Sequence, residues 1–378
     1  MATDLSNFIF IDHHAHSILK GHLQLDAIAF RQCFSETRSI GQLENHAAFS
    51  IHYIDMLHRL GEYTSTSSED GALEYRARQP ESAYLNELWD DVAMGGLIID
   101  DGFHPAEMMG LPQLSSLCGR PVYRCVRIES VLEECLRKAG SFTELSRLFH
   151  KSLDDRGPVR TVALKSIAAY RGGLELDAVS AQEAHSDFDN VKAHMKSRGA
   201  RITRGKLYHY FLMEAFEFAA SKNLPVQLHA GIGDDDEDLR QSNPLCFRRI
   251  LHSQTFVKTN FVFLHCYPFV AEAAYLAALY SNVYMDLSLA VSLVSPMAEN
   301  MISTALAGAP STKLLAGSDG HGIPETHWYG ALCWKRALEN VLNRFEQDGF
   351  VDEEEAQDIG ARVLHENARN LYALLDLT

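Results

Sequence analysis

Short runs of apolar residues recur along the chain, and longer amphipathic segments separate several of them. Eight runs have the length of β-strands and lie at residues 8–12, 95–100, 121–128, 161–167, 224–229, 260–265, 282–288 and 313–319. Most are almost continuously apolar, which is typical of strands buried on both faces of a parallel sheet. Residues 205–223, 270–281 and 353–375 have helical patterns. This alternation predicts an α/β fold, specifically a (β/α)8 TIM barrel.

The segment between the first two predicted strands has a different character. Residues 17–94 are polar and helix-like, and we expect a helical cap inserted over the barrel mouth, within a single domain spanning residues 1–378. Residues 64–71 and 233–244 are expected to be exposed loops because they are rich in polar turn-forming residues. The alternative fold is an open doubly wound sheet. That fold usually has a glycine-rich phosphate turn after its first strand, where this chain has HHAHS at residues 13–17.

Composition narrows the class of protein. The chain has 378 residues, with 34 Lys and Arg against 50 Asp and Glu, and its net charge of −16 argues against a nucleic-acid surface. The seven cysteines form no CxxC pair, and such a dispersed, odd set is typical of reduced thiols in a cytosolic protein. No signal-peptide pattern and no long apolar run are evident. We therefore expect a cytoplasmic protein with neither membrane nor nucleic acid as a partner.

Polar side chains interrupt or end several of the apolar strands. They are His14, His16, Lys165, His229, His265 and Asp319. The carboxyl ends of barrel strands meet on one face, where active sites lie, so these residues would share one small volume. Imidazoles with a carboxylate suit zinc and similar divalent ions, and the i, i+2 spacing of His14 and His16 places both on one strand face. The alternative is that each histidine is an unrelated core or surface residue, since the chain has 18 of them.

The same residues carry a resemblance to a known family. A D-x-H-x-H motif formed by Asp12, His14 and His16 precedes the lysine, the two further histidines and the aspartate just named. This ordered set resembles the amidohydrolase superfamily of metal-dependent barrels, and within it the amidohydrolase-2 group. The segments LKSIAAYRGGL, FLHCYP and LLAGSD are most similar to the branch related to a domain that some fungal and plant proteins carry fused to a glutamine-synthetase-like domain.

The resemblance implies a centre with two divalent metal ions, with zinc as the expected metal. In the family, a lysine on the fourth strand is commonly carboxylated by CO2, and its carbamate bridges two ions. Carried over to this chain, His14, His16 and Asp319 would hold the first ion. The other two strand-end histidines would hold the second, with carboxylated Lys165 as the bridge. The alternative is a lysine amine paired with a carboxylate, and related decarboxylases and isomerases use one metal without such a lysine.

The reaction that the resemblance implies is hydrolysis of an amide-type C–N bond in a small molecule. Metal ions make hydroxide available near neutral pH, and Asp319 would hold the hydroxide and pass a proton to the leaving amine. The branch suggests a γ-glutamyl amide as substrate. The alternatives are a lactonase or phosphotriesterase, a mononuclear nonoxidative decarboxylase, and a noncatalytic binding module. A homodimer is expected, because barrels of this kind often form dimers.

Substrate contacts are expected from residues close to the ligand candidates. Arg127 and Arg171 could clamp a substrate carboxylate through the guanidinium fork, or could form an ordinary ion pair with a partner such as Glu129. Tyr170 and Tyr267 follow ligand candidates in sequence and would contact substrate or pack as aromatic side chains. The sequence leaves both alternatives open for each pair.

For several other polar residues near the strand ends, the sequence supports weaker expectations. His321 and Glu325 follow the eighth strand and are candidates for substrate contact or for support of the ligands. Strand alternation turns His13 away from its two neighbouring histidines, so we expect it to pack. Asp286 ends the seventh strand and is expected to be structural. Residues 234–236 are consecutive aspartates, for which a solvated loop is the expectation.

Overall fold

Eight parallel strands form the centre of the protein. This computed structural model describes residues 3–103, 106–155, 157–197 and 199–374, and its strands are hydrogen-bonded in sequence order. Their bounds are β1 Phe10–Ala15, β2 Met94–Asp100, β3 Val122–Arg127, β4 Thr161–Ser166, β5 Val226–Ala230, β6 Phe261–His265, β7 Val283–Asp286 and β8 Leu314–Leu315. Every neighbouring pair runs parallel. The predicted (β/α)8 TIM barrel is confirmed.

Backbone hydrogen bonds join the two edge strands, β1 and β8, beyond the regular ladder. The Asp319 amide donates to the His14 carbonyl at 3.0 Å, and the His16 amide donates to the Gly320 carbonyl at 2.8 Å. An isolated parallel bridge between Ile18 and Gly322 continues the seam. The seam thereby brings the ends of the first and last strands together, which places His14 and His16 beside Asp319.

Helices separate the strands, and five of them form the predicted insertion between β1 and β2. These five are α1 Ala27–Gln32, α2 Ile40–Asn45, α3 Ile51–Thr64, α4 Glu69–Ala77 and α5 Glu81–Asp91. The others are α6 Leu111–Cys118, α7 Ile128–Lys138, α8 Phe142–Leu153, α9 Ala181–His194, α10 Lys206–Lys222, α11 Arg248–Leu251, α12 Val270–Leu279, α13 Ala290–Leu293, α14 Ala298–Gly308, α15 Pro324–Gln347, α16 Glu353–Ala361 and α17 Asn367–Leu371. Across the described ranges, no helix combines the length and the apolar character needed to cross a membrane.

Apolar side chains cover both faces of the strands. Inside the barrel, Ile98, Cys125 and Leu264 belong to one buried cluster, which Tyr372 and Leu374 from the C-terminal segment join. A larger cluster fills the space between the strands and the surrounding helices. Burial on both faces explains why the strands appear in the sequence as continuous apolar runs rather than as alternating ones.

The last two strands are shorter than the apolar pattern indicates. β8 stops at Leu315, because the following amides bond elsewhere: the Ala316 amide donates to the Val363 carbonyl at 3.2 Å. β7 stops at Asp286, whose carboxylate accepts from the Ser288 amide at 3.2 Å. Local side-chain acceptors of this kind compete with a strand ladder.

Two other predicted boundaries also differ from the structure. Residues 64–71 are not one exposed loop, because α4 already begins at Glu69, and the Ser68 hydroxyl accepts from the Gly71 amide at 3.1 Å. Serine at this position is a helix-start signal, so the polar run contains an N-cap. The C-terminal helical pattern is interrupted by a π-helical turn, Arg362–Glu366, and α17 ends at Leu371. Residue 375 lies outside the described residues.

Candidate active site

An irregularity in β1 places the consecutive residues His13 and His14 in different surroundings. Between Asp12 and Ala15, β1 contains one residue more than the stretch of β2 that opposes it, which is a β-bulge. Bulges re-aim the side chains beside them and are frequent next to active sites. His13 faces Asp286, with Nε2 2.7 Å from Oδ2, and so packs away from its neighbour. His14 faces the volume enclosed by the strand ends.

A glutamine on β5 determines which ring nitrogen of His14 carries the proton. The Gln227 side-chain amide donates to the His13 carbonyl at 2.7 Å, which fixes the orientation of that amide. Its carbonyl oxygen Oε1 therefore faces His14 Nδ1, at 2.8 Å. Because Oε1 can only accept, His14 carries its proton on Nδ1. The lone pair on Nε2 is left to point into the site.

Two further histidines have the same arrangement. His16 Nδ1 lies 3.4 Å from the Asp100 carbonyl oxygen. His265 Nδ1 lies 3.2 Å from the Ser288 carbonyl oxygen. Carbonyl oxygens accept and do not donate, so both rings carry the proton on Nδ1 and present an Nε2 lone pair. Metal-binding histidines commonly have the second nitrogen held in this way.

The three side chains at the barrel seam converge on one oxygen. Asp319 Oδ1 lies 3.1 Å from His14 Nε2 and 3.3 Å from His16 Nε2. Within the described chain this oxygen nevertheless has no partner with hydrogen-bond geometry. Ligand atoms of His14, His265 and Asp319 all lie within 4.8 Å of one another. Asp319 also has a positive φ of 55°, which is uncommon outside glycine and concentrates at functional sites.

Lys165 and His229 line the same volume from β4 and β5. Lys165 Nζ lies 3.5 Å from His14 Nε2, and no carboxylate oxygen of the described residues is within ion-pair distance of it. The side chain is buried, and burial lowers the pKa of its amine. The ring of His229 lies 4.5 Å from that of His265, centroid to centroid. All six strand-end residues singled out in the sequence therefore border one volume.

The protonation states suit a divalent cation. Burial lowers the pKa of His14 to about 3 and that of His265 to about 4, so both rings are neutral near pH 7. Burial alone would raise the pKa of Asp319, but His265 and the contacts with His14 and His16 lower it, so the carboxyl is ionised. Neutral imidazoles and a carboxylate are the ligand forms that bind zinc. Among the described residues, His229 Nε2 and Asp319 Oδ1 are buried without hydrogen-bond partners, as expected of atoms that bind an ion.

Of the two arginines expected to clamp substrate, Arg127 is hydrogen-bonded to an acidic side chain and Arg171 is only near one. Arg127 donates to Asp100 Oδ2 from Nε at 2.9 Å and from Nη2 at 2.5 Å. Its partner is thus Asp100 rather than Glu129. Arg171 is largely buried and lies 3.9 Å from Glu133. Arg127 therefore holds the scaffold, whereas Arg171 Nε is buried without a hydrogen-bond partner among the described residues.

The aromatic and histidine candidates lie at the edges of the site. The Tyr170 ring is 4.4 Å from the His229 ring, and its hydroxyl accepts from the Asp234 amide at 3.3 Å. His321 contacts Phe103 edge-to-face at 5.7 Å. The Tyr267 carbonyl accepts from the Ile232 amide at 2.7 Å, which ties two strand-end loops together.

Comparison with known proteins gives the family. The family model described as Amidohydrolase matches residues 172–374, more than half of the chain. The chain belongs to the amidohydrolase family. The amidohydrolase is 26% identical over 96% of its length to Protein fluG of Emericella nidulans, and it spans 45% of that protein, less than half. It is also similar to a Lactobacillus casei structure described as a metal-dependent hydrolase, with a TM-score of 0.88, 28% identity and coverage of 100% and 99% of the two chains.

A more distant structural relative shares the fold. The glucuronate isomerase of Caulobacter crescentus superimposes with a TM-score of 0.65 and 14% identity, over 98% of this chain and 92% of the isomerase. At this identity the likeness concerns the barrel and its connections alone. The reaction of the amidohydrolase has to be argued from its own residues.

The amidohydrolase has an acidic residue in its insertion that sequence patterns did not indicate. Glu36 lies between α1 and α2 and lines a small cavity together with Ser292, His321 and Asp319. Burial, followed by the charge of Asp319, raises the pKa of Glu36 to about 8. No periodicity or motif marks Glu36, because its position depends on how the insertion packs over the barrel.

A second acidic residue was missed in the loop after β5. Glu237 follows the three aspartates of residues 234–236, which pair with Arg38 of the insertion. Unlike them, the Glu237 side chain is only 3% exposed and lies 3.7 Å from His229 Nε2. The only signal in the sequence was its distance of eight residues from His229, which does not separate it from the exposed acids beside it.

Proposed function

We propose that this amidohydrolase is a metal-dependent hydrolase that cleaves an amide-type C–N bond in a small molecule. The observation that carries the proposal is the convergence of His14 Nε2 and His16 Nε2 on Asp319 Oδ1 without hydrogen-bond geometry. Three buried donor atoms in this arrangement are the expected result when a side-chain set is shaped around a cation. The Lactobacillus casei structure described as a metal-dependent hydrolase supports the same class of reaction.

We propose that the donor set holds two divalent ions and that both are zinc. His14, His16 and Asp319 would hold an ion at the first position. His229 and His265 would hold one at the second position, with carboxylated Lys165 between the two. Lys165 suits this role because its amine is buried close to His14 and has no carboxylate partner among the described residues. Bound divalent ions would supply a water of lowered pKa and would polarise the scissile carbonyl.

The remaining chemistry belongs to the chain itself. Asp319 would accept the proton of the attacking water and deliver it to the nitrogen of the leaving amine. Gln227 fixes the proton of His14 on Nδ1, and Ser288 does the same for His265, so neither ring has to reorient during turnover. We propose that the insertion covers the barrel mouth, since Glu36 lines the cavity beside Asp319. This cover would limit the access of bulk water.

For the substrate we propose a γ-glutamyl amide. The proposal rests on the branch of the family that the sequence resembles. The charged residues around the site indicate which part of the substrate they would contact. Because Arg127 is paired with Asp100 and Glu36 lines the cavity beside Asp319, we propose Glu36 as an acidic contact for the substrate. The α-ammonium of a γ-glutamyl group would lower the pKa of Glu36, which burial raises to about 8, and would pair with the carboxylate so formed. Glu36→Gln should therefore raise KM for the amide more than it lowers kcat.

The proposal is tested by turnover with a panel of substrates. Zinc-loaded protein is incubated with γ-glutamyl amides, with a γ-lactone and with a carboxylic acid suited to decarboxylation. Hydrolysis of amides, with one solvent oxygen incorporated into the acid product, is the expected result. Turnover of the lactone alone would contradict the C–N bond, and release of CO2 without incorporation of solvent oxygen would contradict hydrolysis.

A further inference from the structure

Glu237 is a buried carboxylate for which the described residues offer no hydrogen bond. Its side chain is 3% exposed, and neither of its oxygens has a partner with hydrogen-bond geometry. Burial raises the pKa of this carboxyl to about 7. Withdrawing a carboxylate from water without a donor or a cation is costly, so such a group either takes up a proton or binds a cation.

Among the described residues, the arginines that pair with the aspartates of the Glu237 loop form no ion pair with Glu237 itself. Arg38 and Arg201 both bind Asp236, and Arg240 binds Asp238. The Ser242 hydroxyl is close enough to Glu237 to lower the pKa of its carboxyl, but the carbonyls within its hydrogen-bond distance are those of Gly231, at 3.4 Å, and Leu239, at 3.3 Å. The basic residues of this region therefore hold the exposed acids of the loop and leave Glu237 without a counterion.

The closest polar atom across the site is an imidazole nitrogen that also lacks a partner. Glu237 Oε2 lies 3.7 Å from His229 Nε2, which is too long for a hydrogen bond. Zinc binds nitrogen and oxygen at about 2.0–2.2 Å in tetrahedral geometry, which separates two of its ligands by about 3.4 Å. The observed spacing is thus close to that of two atoms that share one cation.

A glycine lets the loop pass closely enough over His229 to bring Glu237 there. A Cβ atom at Gly233 would lie 2.9 Å from His229 Nε2 and 1.9 Å from the Tyr170 hydroxyl. A side chain at this position would have to displace one of these groups or lift the loop. The backbone of residues 233–237 is therefore built to approach the imidazole.

We propose that Glu237 is a further ligand of the second metal position, beside His229 and His265. This inference rests on the proposed metal-dependent function and deepens it. The loop after β5 then does more than border the site: it carries a negative charge to the second ion, and ordering of the loop and binding of that ion support one another. Asp234 and Asp236, which accept hydrogen bonds from Arg38 of the insertion, fasten the same loop from outside.

The test is the zinc stoichiometry and affinity of the full chain and of its Glu237→Gln variant. Asp235→Asn is the matched control, because it removes one carboxylate from the same loop at an exposed position. Metal-free protein is titrated with zinc against a chromophoric chelator, and bound metal is measured by elemental analysis. Wild type and control should bind two ions, whereas Glu237→Gln should bind the second at least about 10-fold more weakly.

Loading the protein with cobalt distinguishes the loss of a metal ligand from a loss of the fold. The visible spectrum of the cobalt-loaded protein reports the ligands of each ion, so Glu237→Gln should change the absorption of the second equivalent and leave that of the first unchanged. Circular dichroism and the unfolding midpoint of the metal-free proteins identify a variant that has lost its fold. If Glu237→Gln does not fold, Glu237→Asp, which keeps the charge on a shorter side chain, is measured in the same way and should also weaken the second ion.

The outcomes separate this proposal from the proposed function. A folded variant that binds two zinc ions with wild-type affinity and an unchanged cobalt spectrum overturns the role of Glu237, while the two-metal hydrolase stands. A wild type that binds a single ion also overturns it, because the second position is then absent. In that case amide turnover by the zinc-loaded wild type decides the proposed function independently.

Discussion

Replacing Glu325 with glutamine should weaken the contact between the helical insertion and the barrel. Glu325 lies in the first turn of α15 and faces Arg76 of α4, with Arg76 Nε 2.7 Å from Oε1, and both side chains are fully buried. The Tyr84 hydroxyl of α5 donates to the same carboxylate at 2.8 Å. Arg76 also donates to the His22 carbonyl at 2.8 Å. This cluster joins two helices of the insertion to the helix that follows the Asp319 loop.

The expected loss in the free energy of unfolding can be worked out from the complete burial of the ion pair between Arg76 and Glu325. Glutamine retains one acceptor for Tyr84 but leaves the Arg76 guanidinium without its counterion, and removing one partner of a buried ion pair costs about 3–5 kcal/mol. Some of the lost interaction is recovered by the remaining acceptor, so we expect a loss near the lower end, about 3 kcal/mol, in the free energy of unfolding. Arg76→Met should have a similar cost, because it leaves the carboxylate buried.

Urea unfolding of the wild type, both single variants and the double variant measures this coupling. The double variant contains neither charge, so its loss should be smaller than the sum of the single losses by about 1–3 kcal/mol. A Glu325→Gln loss below about 0.5 kcal/mol, the size typical of surface substitutions, would refute the reasoning. Strictly additive single losses would refute it equally.

The ion pair also gives a pH dependence with a definite sign. Burial alone would raise the pKa of Glu325, but Arg76 lowers it below its ordinary value of 4.5. A carboxyl with a lowered pKa in the folded state stabilises the protein above its unfolded pKa, and this contribution is lost as the pH falls through the folded pKa. The stability difference between wild type and Glu325→Gln should therefore be constant near neutral pH and shrink below about pH 4.5.

Three further predictions concern the site. Asp319→Asn should lower kcat at least about 100-fold in steady-state assays, with KM changed only a few-fold, and retention of full activity would contradict its role in proton transfer. Lys165→Ala should bind one metal equivalent less than the wild type. It should also lack the mass of about 44 Da that bound CO2 adds in intact-mass spectra recorded without acid. An unchanged metal content would contradict the role of carboxylated Lys165 as the bridging ligand. Gly233→Ala should lower turnover about 10-fold or more, because its Cβ would lie 1.9 Å from the Tyr170 hydroxyl, whereas Gly41→Ala, which has no atom within 4 Å of the added Cβ, should not.

The barrel and its ligand candidates could be predicted from the sequence because strands buried on both faces leave a strong apolar pattern. A polar residue within or at the end of such a strand, as at Lys165, His229 and His265, stands out against that background. The carboxyl ends of parallel strands meet on one face, so strand-end position is enough to group these residues. Neither step requires knowledge of loop conformation.

Other features depend on contacts that only the folded chain defines. Asp100 was not recognised as the partner of Arg127, because their meeting depends on the register of β2 against β3. Glu36 lines the cavity beside Asp319 through contacts between residues that are far apart in the sequence. Glu237 is buried beside exposed aspartates in a loop that passes close to His229 at Gly233. Local composition is the same for the buried and the exposed acids, so it could not distinguish them.

The metal content of the purified full chain, measured together with amide turnover before and after chelation, tests the central claim most directly. We predict two divalent ions per chain, loss of turnover when a chelator removes them, and recovery of turnover when zinc is restored. Protein that cleaves amides at an unchanged rate with no metal bound, or that binds no metal after exposure to zinc, would contradict the account.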